Sequence, residues 1–142
     1  MLTITVRNRK GYQQEIIAGD HVVFADEPIE AGGDDTGPNP YELLLGALGA
    51  CTSITVRMYA ERKGWPLEGI EVELSHNKDY RQDCENSVEK KVRIDRITRV
   101  VRLSGELDDT QRQRLMEIAR RCPVHQTLTD GQVQVLDQEA RL

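Results

Sequence analysis

Two cysteines and a histidine are the residues of this chain whose types and placement could do chemistry. Cys51 sits inside an almost wholly apolar stretch, and Cys122 precedes Pro123-Val124-His125. A single buried thiol is ordinarily inert, whereas two thiols delivered to one pocket can run redox chemistry. A free cysteine has a pKa near 8.5, so only about 3% is thiolate at neutral pH, and apolar burial lowers that fraction further. Cys51 therefore needs local help, and a partly buried arginine is the obvious donor because exposed ion pairs are too weak. Its own helix dipole does not supply it, since Cys51 lies about twelve residues past the helix start and the effect fades within one turn. The spacing places Cys122 at the end of a later helix, the unfavourable terminus for a thiolate, with Arg120 and Arg121 available to offset this. Cys51 is then the attacking sulfur and Cys122 the resolving one.

Other chemistries fit the same residues. A cysteine among Leu and Ala also suits a small core position, and His125 also suits a polar loop. Cys122-x-x-His125 with Cys51 offers soft ligands for zinc, without an assignable fourth. A Cys-His nucleophile for acyl transfer lacks an orienting third group. Glu42 fails as a general base for Cys51 because nine residues of helix put it on the opposite face, so a helix-capping role accounts for it better. The third cysteine, Cys84, lies in the polar loop Arg81-Gln82-Asp83-Cys84-Glu85-Asn86, whose carboxylates disfavour a thiolate; it is read as incidental.

The elements that must position these groups follow from pattern. Leu2, Ile4 and Val6 alternate as a strand; Glu15 to Ile17 and His21 to Ala25 add two more, an antiparallel meander. Residues 30–40 are dense in turn formers, and the chain leaves them through Asn39 as N-cap, Pro40 as first helical residue and Glu42 as third. That helix is expected to run to about Lys63 and stop at Gly64, apolar nearly all round, so that a second subunit is the natural cover. Its apolar part, Leu43 to Val56, is 14 residues with Thr52, Ser53 and Thr55 inside it, too short to span a bilayer. Ile70, Val72 and Leu74 alternate as a strand, and Val92 to Leu103 predicts one or two more, bulged near Asp95-Arg96. Asp108 with Gln111 opens a second long helix on which Leu115, Ile118, Ala119 and Cys122 share the inward face. Val133 and Val135 predict a short closing strand.

Composition bounds the rest. The 142 residues suit a single domain, 1–142, without linker or repeat. A net charge of −5 gives no electrostatic case for nucleic acid, and the locally basic run Lys90 to Arg102 reads as a solvated strand face. The N-terminus alternates like a strand instead of forming a signal peptide, which leads to the expectation of a cytoplasmic protein. Three cysteines argue against a disulfide framework.

The segment Gly37-Pro38-Asn39-Pro40-Tyr41-Glu42-Leu43-Leu44-Leu45-Gly46-Ala47-Leu48-Gly49-Ala50-Cys51-Thr52, followed by Cys122-Pro123-Val124-His125, closely resembles the OsmC/Ohr family of osmotically induced and organic-hydroperoxide-resistance proteins. Asp26-Glu27-Pro28, Gly32-Gly33 and Arg57-Met58-Tyr59-Ala60 point to its OsmC-like branch. The resemblance implies an α+β fold, antiparallel sheets around a long central apolar helix, in an intertwined homodimer with a site at each side of the interface. It implies thiol-dependent reduction of small organic hydroperoxides: the Cys51 thiolate attacks the O–O bond and the resulting sulfenic acid condenses with Cys122. An external dithiol, either a lipoylated protein or a small thiol, regenerates the pair, with no metal, haem or flavin and no nucleic-acid or membrane partner. In the peroxidase branches a glutamate ten residues before the reactive cysteine holds the activating arginine; here that position is Tyr41, and Glu42 follows it. The family's arginine comes from the N-terminal strands, where Arg7 is favoured over Arg9, while Tyr41, Glu42 and His125 are supporting or binding candidates. Tyr41 leaves open a weaker peroxidase, a different oxidant or a binding role. Beside the dithiol peroxidase stand two alternatives, a Cys-dependent hydrolase or acyl carrier and a redox-inert, stress-related binding protein using the interfacial pocket.

Overall fold

A capping box starts the longest element. Asn39 Oδ1 accepts from the Glu42 N–H at 2.9 Å and Glu42 Oε1 accepts from the Asn39 N–H at 3.1 Å, so two otherwise orphaned helix donors are satisfied. Helix α1 runs Pro40–Lys63 and ends at Gly64, whose φ of 68° is open to a residue without a Cβ. Both boundaries fall where the sequence placed them. The computed structural model describes residues 1–82 and 91–140, so Cys84 lies outside the described residues.

The chain divides into two compact units, Met1–Gly46 and Ala47–Leu142. In the first, β1 (Thr5–Asn8), β2 (Gln14–Ala18) and β3 (His21–Ala25) form the expected antiparallel meander, although β1 begins only at Thr5. The loop that follows is organised on one buried carboxylate. Asp26 accepts from the Glu27 N–H at 2.8 Å and from the Thr36 N–H and hydroxyl at 3.2 and 2.7 Å, and its own N–H donates to the Pro38 carbonyl at 3.1 Å. The Thr36 hydroxyl bond outweighs burial and, with the backbone donors, holds the Asp26 carboxyl below its ordinary pKa. A carboxyl depressed in the folded state contributes stability that is present above the unfolded carboxyl pKa and is lost as pH falls through the lower folded value. Acid titration of unfolding is therefore expected to be shallower in Asp26→Asn than in wild type below about pH 4; equal slopes would remove this role.

The second unit contains the rest of α1, the strands β4 (Gly69–Gln82) and β5 (Lys91–Ser104), and the helices α2 (Asp109–Ala119) and α3 (Pro123–Thr129). With two antiparallel sheets and three α-helices among the described residues, the fold class is α+β. The β4–β5 pairing is continuous from Gly69↔Ser104 to Gln82↔Lys91, so the bulge expected near Asp95-Arg96 is absent: both residues stay in register, opposite Lys78 and Asn77. Cross-strand polar pairs line the ladder, Arg102 with Glu71 and Glu73 at 2.9 and 3.2 Å and His76 hydrogen-bonded to Asp95 at 2.9 Å. Val133 and Val135 do not form the expected strand; residues 132–140 carry no regular element. Alternation of two residues is not enough where no strand pairs with them.

The core of this unit joins Val56 and Ala60 of α1 to Leu67, Leu107 and the α2 residues Leu115 and Ala119, with Tyr59, Trp65, Ile70 and Leu103 packed against it. Gly49 lets α1 approach the hairpin, because a Cβ there would lie 2.8 Å from Leu74 Cδ1. The buried stripe of α1 is Leu48, Thr52, Val56 and Ala60 at four-residue spacing, with Gly49 beside it. Outside this stripe, Ile54 and Met58 are 58% and 64% exposed within one chain. At 24 residues α1 is long and apolar enough to cross a membrane by length and composition alone, but its stripe packs into a protein core.

Candidate active site

Cys122 does not close a helix, as the spacing suggested; it opens one. Helix α2 ends at Ala119, and Cys122 is the N-cap of α3 with Pro123 at the first helical position. Its Sγ accepts from the His125 N–H at 3.3 Å, and the side chain is completely buried. The change of element matters for the sulfur chemistry, because the first turn of α3 directs backbone N–H groups at the site.

Cys51, half-buried on α1, meets this turn. Burial raises the cost of its thiolate, but hydrogen bonds from the Val124 N–H, the Cys122 thiol and the Thr55 hydroxyl, together with the charge of Arg99, outweigh that cost and lower its pKa. The same contacts work oppositely on Cys122. Burial and the hydrogen bond and charge of Cys51 raise its pKa, against weaker help from the His125 N–H and Thr52. Both sulfurs are free thiols within hydrogen-bonding reach of each other. The surroundings of one sulfur favour its thiolate and those of the other favour its thiol.

The cation beside Cys51 in this unit is Arg99 of β5, a residue the sequence reading missed. Arg99 is partly buried and its Nη1 donates to Thr52 Oγ1 at 2.8 Å. It had a signature: Ile97, Val101 and Leu103 face inward on β5, and Arg99 interrupts that register opposite Leu74. A charge placed in an apolar register asks for a function or a partner. His125 lies close by; burial and the charges of Arg99 and Arg120 lower its pKa, keeping the imidazole neutral. A cleft of about 500 Å³ lies beside these groups, lined among others by Leu48, Ile97, Arg99, Met116, His125 and Leu128.

The structure thus brings Cys51, Cys122 and His125 together in the second unit. Arg7, Tyr41 and Glu42 belong to the first: Arg7 of β1 pairs with Glu15 at 3.5 Å, Tyr41 is half-exposed in the first turn of α1, and Glu42 is engaged in the capping box. Among the described residues, no three or more of His, Cys, Asp and Glu are grouped to hold a metal ion.

Solved structures share this architecture. An OsmC-like protein from Mycoplasma pneumoniae superposes with a TM-score of 0.70 at 18% identity, covering 93% of this chain and 89% of that one. An organic hydroperoxide resistance protein from Legionella pneumophila gives 0.60 at 18% identity over 91% and 89% of the two chains. The organic hydroperoxide resistance protein of Bacillus subtilis gives 0.55 at 22% identity over 91% and 92%. At such identities the likeness establishes the fold. No curated protein sequence matches the chain. The family model for OsmC-like proteins matches residues 32–135, a span that contains α1, both cysteines and the hairpin carrying Arg99, and the chain therefore belongs to the OsmC-like family.

Proposed function

We propose that the chain is a thiol-dependent peroxidase that reduces organic hydroperoxides, with Cys51 as the peroxidatic and Cys122 as the resolving cysteine. The observation that carries this reading is the contact between two free thiols whose environments push their pKa values apart. The Cys51 thiolate attacks the distal peroxide oxygen, the O–O bond breaks, and the leaving alkoxide takes up a proton and departs as alcohol. Cys122 then gives up its proton and attacks the sulfenic sulfur; an S–S bond forms, the S–O bond breaks, and water leaves. An external dithiol, small or lipoyl-borne, reduces the disulfide by thiol exchange. Relatives with organic hydroperoxide resistance in their names support the substrate class, and the family's soluble character supports a cytoplasmic setting. Intact mass after one equivalent of cumene hydroperoxide tests the reading. Loss of two hydrogens in wild type, replaced by gain of one oxygen in Cys122→Ser, is expected; an unchanged wild-type mass would refute it.

The protein acts as a homodimer in this proposal, because the exposed stripe Ala47, Ala50, Ile54 and Met58 on α1 is apolar and calls for a cover. Sedimentation is expected to show a dimer in wild type and a monomer in Ile54→Lys/Met58→Lys. A wild-type monomer at micromolar concentration would dismiss it.

A further inference from the structure

We infer that Thr52 is the positioning residue of this site, holding the Arg99 guanidinium beside Cys51 and turning its hydroxyl proton towards Cys122 when that sulfur becomes anionic. The inference rests on the redox function proposed above. Thr52 is fully buried in a stripe otherwise made of Leu48, Val56 and Ala60, where a valine would have nearly the same shape. A buried hydroxyl is costly unless it is hydrogen-bonded, so its presence there needs a reason beyond packing. Its partners supply one. Oγ1 donates to the Leu48 carbonyl at 2.7 Å and accepts from Arg99 Nη1 at 2.8 Å, and it lies within reach of the Cys122 sulfur.

A hydroxyl owns one proton and two lone pairs, and a guanidinium only donates. One lone pair is therefore committed to Arg99, which fixes the cation against Cys51, and the proton is left to select between the Leu48 carbonyl and Cys122. In the reduced pair Cys122 is a neutral thiol and a poor acceptor, so the proton goes to the Leu48 carbonyl, 2.7 Å from Oγ1. During resolution Cys122 loses its proton to the departing hydroxide of the Cys51 sulfenic acid. The charge that develops on its sulfur makes it the stronger acceptor, and rotation about the Cβ–Oγ1 bond delivers the hydroxyl to it without releasing Arg99. One side chain thereby serves attack through Arg99 and resolution through Cys122.

Peptide-resolved alkylation by iodoacetamide across pH reads the first role, and the rate of disulfide formation after one equivalent of cumene hydroperoxide reads the second. The groups facing Cys51 in these profiles are Cys122 and the Val124 N–H at α3, Thr55 on α1 and Arg99 on β5, with His125 alongside. In Thr52→Val the Cys51 alkylation midpoint is expected to move to higher pH, and disulfide formation to slow about tenfold, the loss of a buried hydrogen bond. Thr52→Ser, which keeps the hydroxyl, is expected to restore both. A wild-type profile and rate in Thr52→Val, or equal defects in the Val and Ser variants at matched thermal stability, would overturn the inference. Should Thr52→Val not fold, the smaller Thr52→Ala carries the same expectations and the same refutation. Alkylation needs no peroxide, so a displaced profile in a protein that ignores hydroperoxide would refute the peroxidase reading and leave the hold on Arg99 standing.

Discussion

Cys51→Ser is expected to abolish organic-hydroperoxide consumption, by a factor on the order of 10³ or more, as loss of a covalent nucleophile does elsewhere. A serine hydroxyl in that position stays protonated and presents no thiolate to the peroxide. Cys122 cannot take over. It is completely buried, and burial, the largest influence on its thiol, disfavours the thiolate whether or not Cys51 is present. Cys122→Ser should behave differently, completing one attack per Cys51 and then stalling until an external thiol reaches the sulfenic acid. A peroxide electrode with excess dithiothreitol distinguishes the two variants. Equal slow decay in wild type and Cys51→Ser would end the peroxidase reading and turn attention to the cleft as a binding site.

The second large effect concerns Arg99→Gln, which keeps hydrogen-bonding capacity towards Thr52 but removes the charge. The charge of Arg99 contributes to the lowered pKa of Cys51, so removing it raises the folded-state pKa and moves the alkylation midpoint upward in pH. The rate effect is smaller than the titration effect. Every tenfold loss of thiolate is offset about threefold by the greater nucleophilicity of a more basic sulfur, leaving roughly threefold slower reaction at neutral pH for each tenfold loss. At high pH, where wild type and variant are both thiolate, the variant is expected to react as fast or faster. That crossing separates loss of a charge from loss of structure. His125 supplies an internal check, since Arg99 also lowers its pKa and the same substitution should raise it, visible by NMR titration. An unmoved midpoint would mean that the backbone and hydroxyl donors suffice.

How far the sequence revealed this site depends on how local the determinants are. Asn39-Pro40-x-Glu42 and Asp108 with Gln111 are self-contained caps, and both appear in the structure as capping boxes that start helices where expected. Leu115, Ile118 and Ala119 point inward as their spacing required, and all three are buried. Cys122-Pro123 carries the same proline signal that marks α1, but the inward spacing of Leu115, Ile118 and Ala119 runs on to Cys122 and points to a helix end instead. Missing α3 hid the Val124 and His125 donors, which became visible only with the turn in place. Arg99 was obscured differently. Val100 beside Val101 blurs the alternation of β5, and only the pairing of Leu74 with Arg99 fixes which face the guanidinium takes. The polar outer half of β4 has no apolar period, so its strand state comes from pairing with β5, which a single segment does not display.

The N-cap role of Cys122 ties oxidation to backbone order. A sulfur that accepts the His125 N–H is an adequate cap as thiol and a better one as thiolate, but in a disulfide it is neutral and its orientation is set by its covalent partner. In the proposed cycle, turnover would load and unload the first turn of a seven-residue helix that is too short to persist on its own. The redox state of the pair would then be readable in the chain itself as amide-exchange protection at His125.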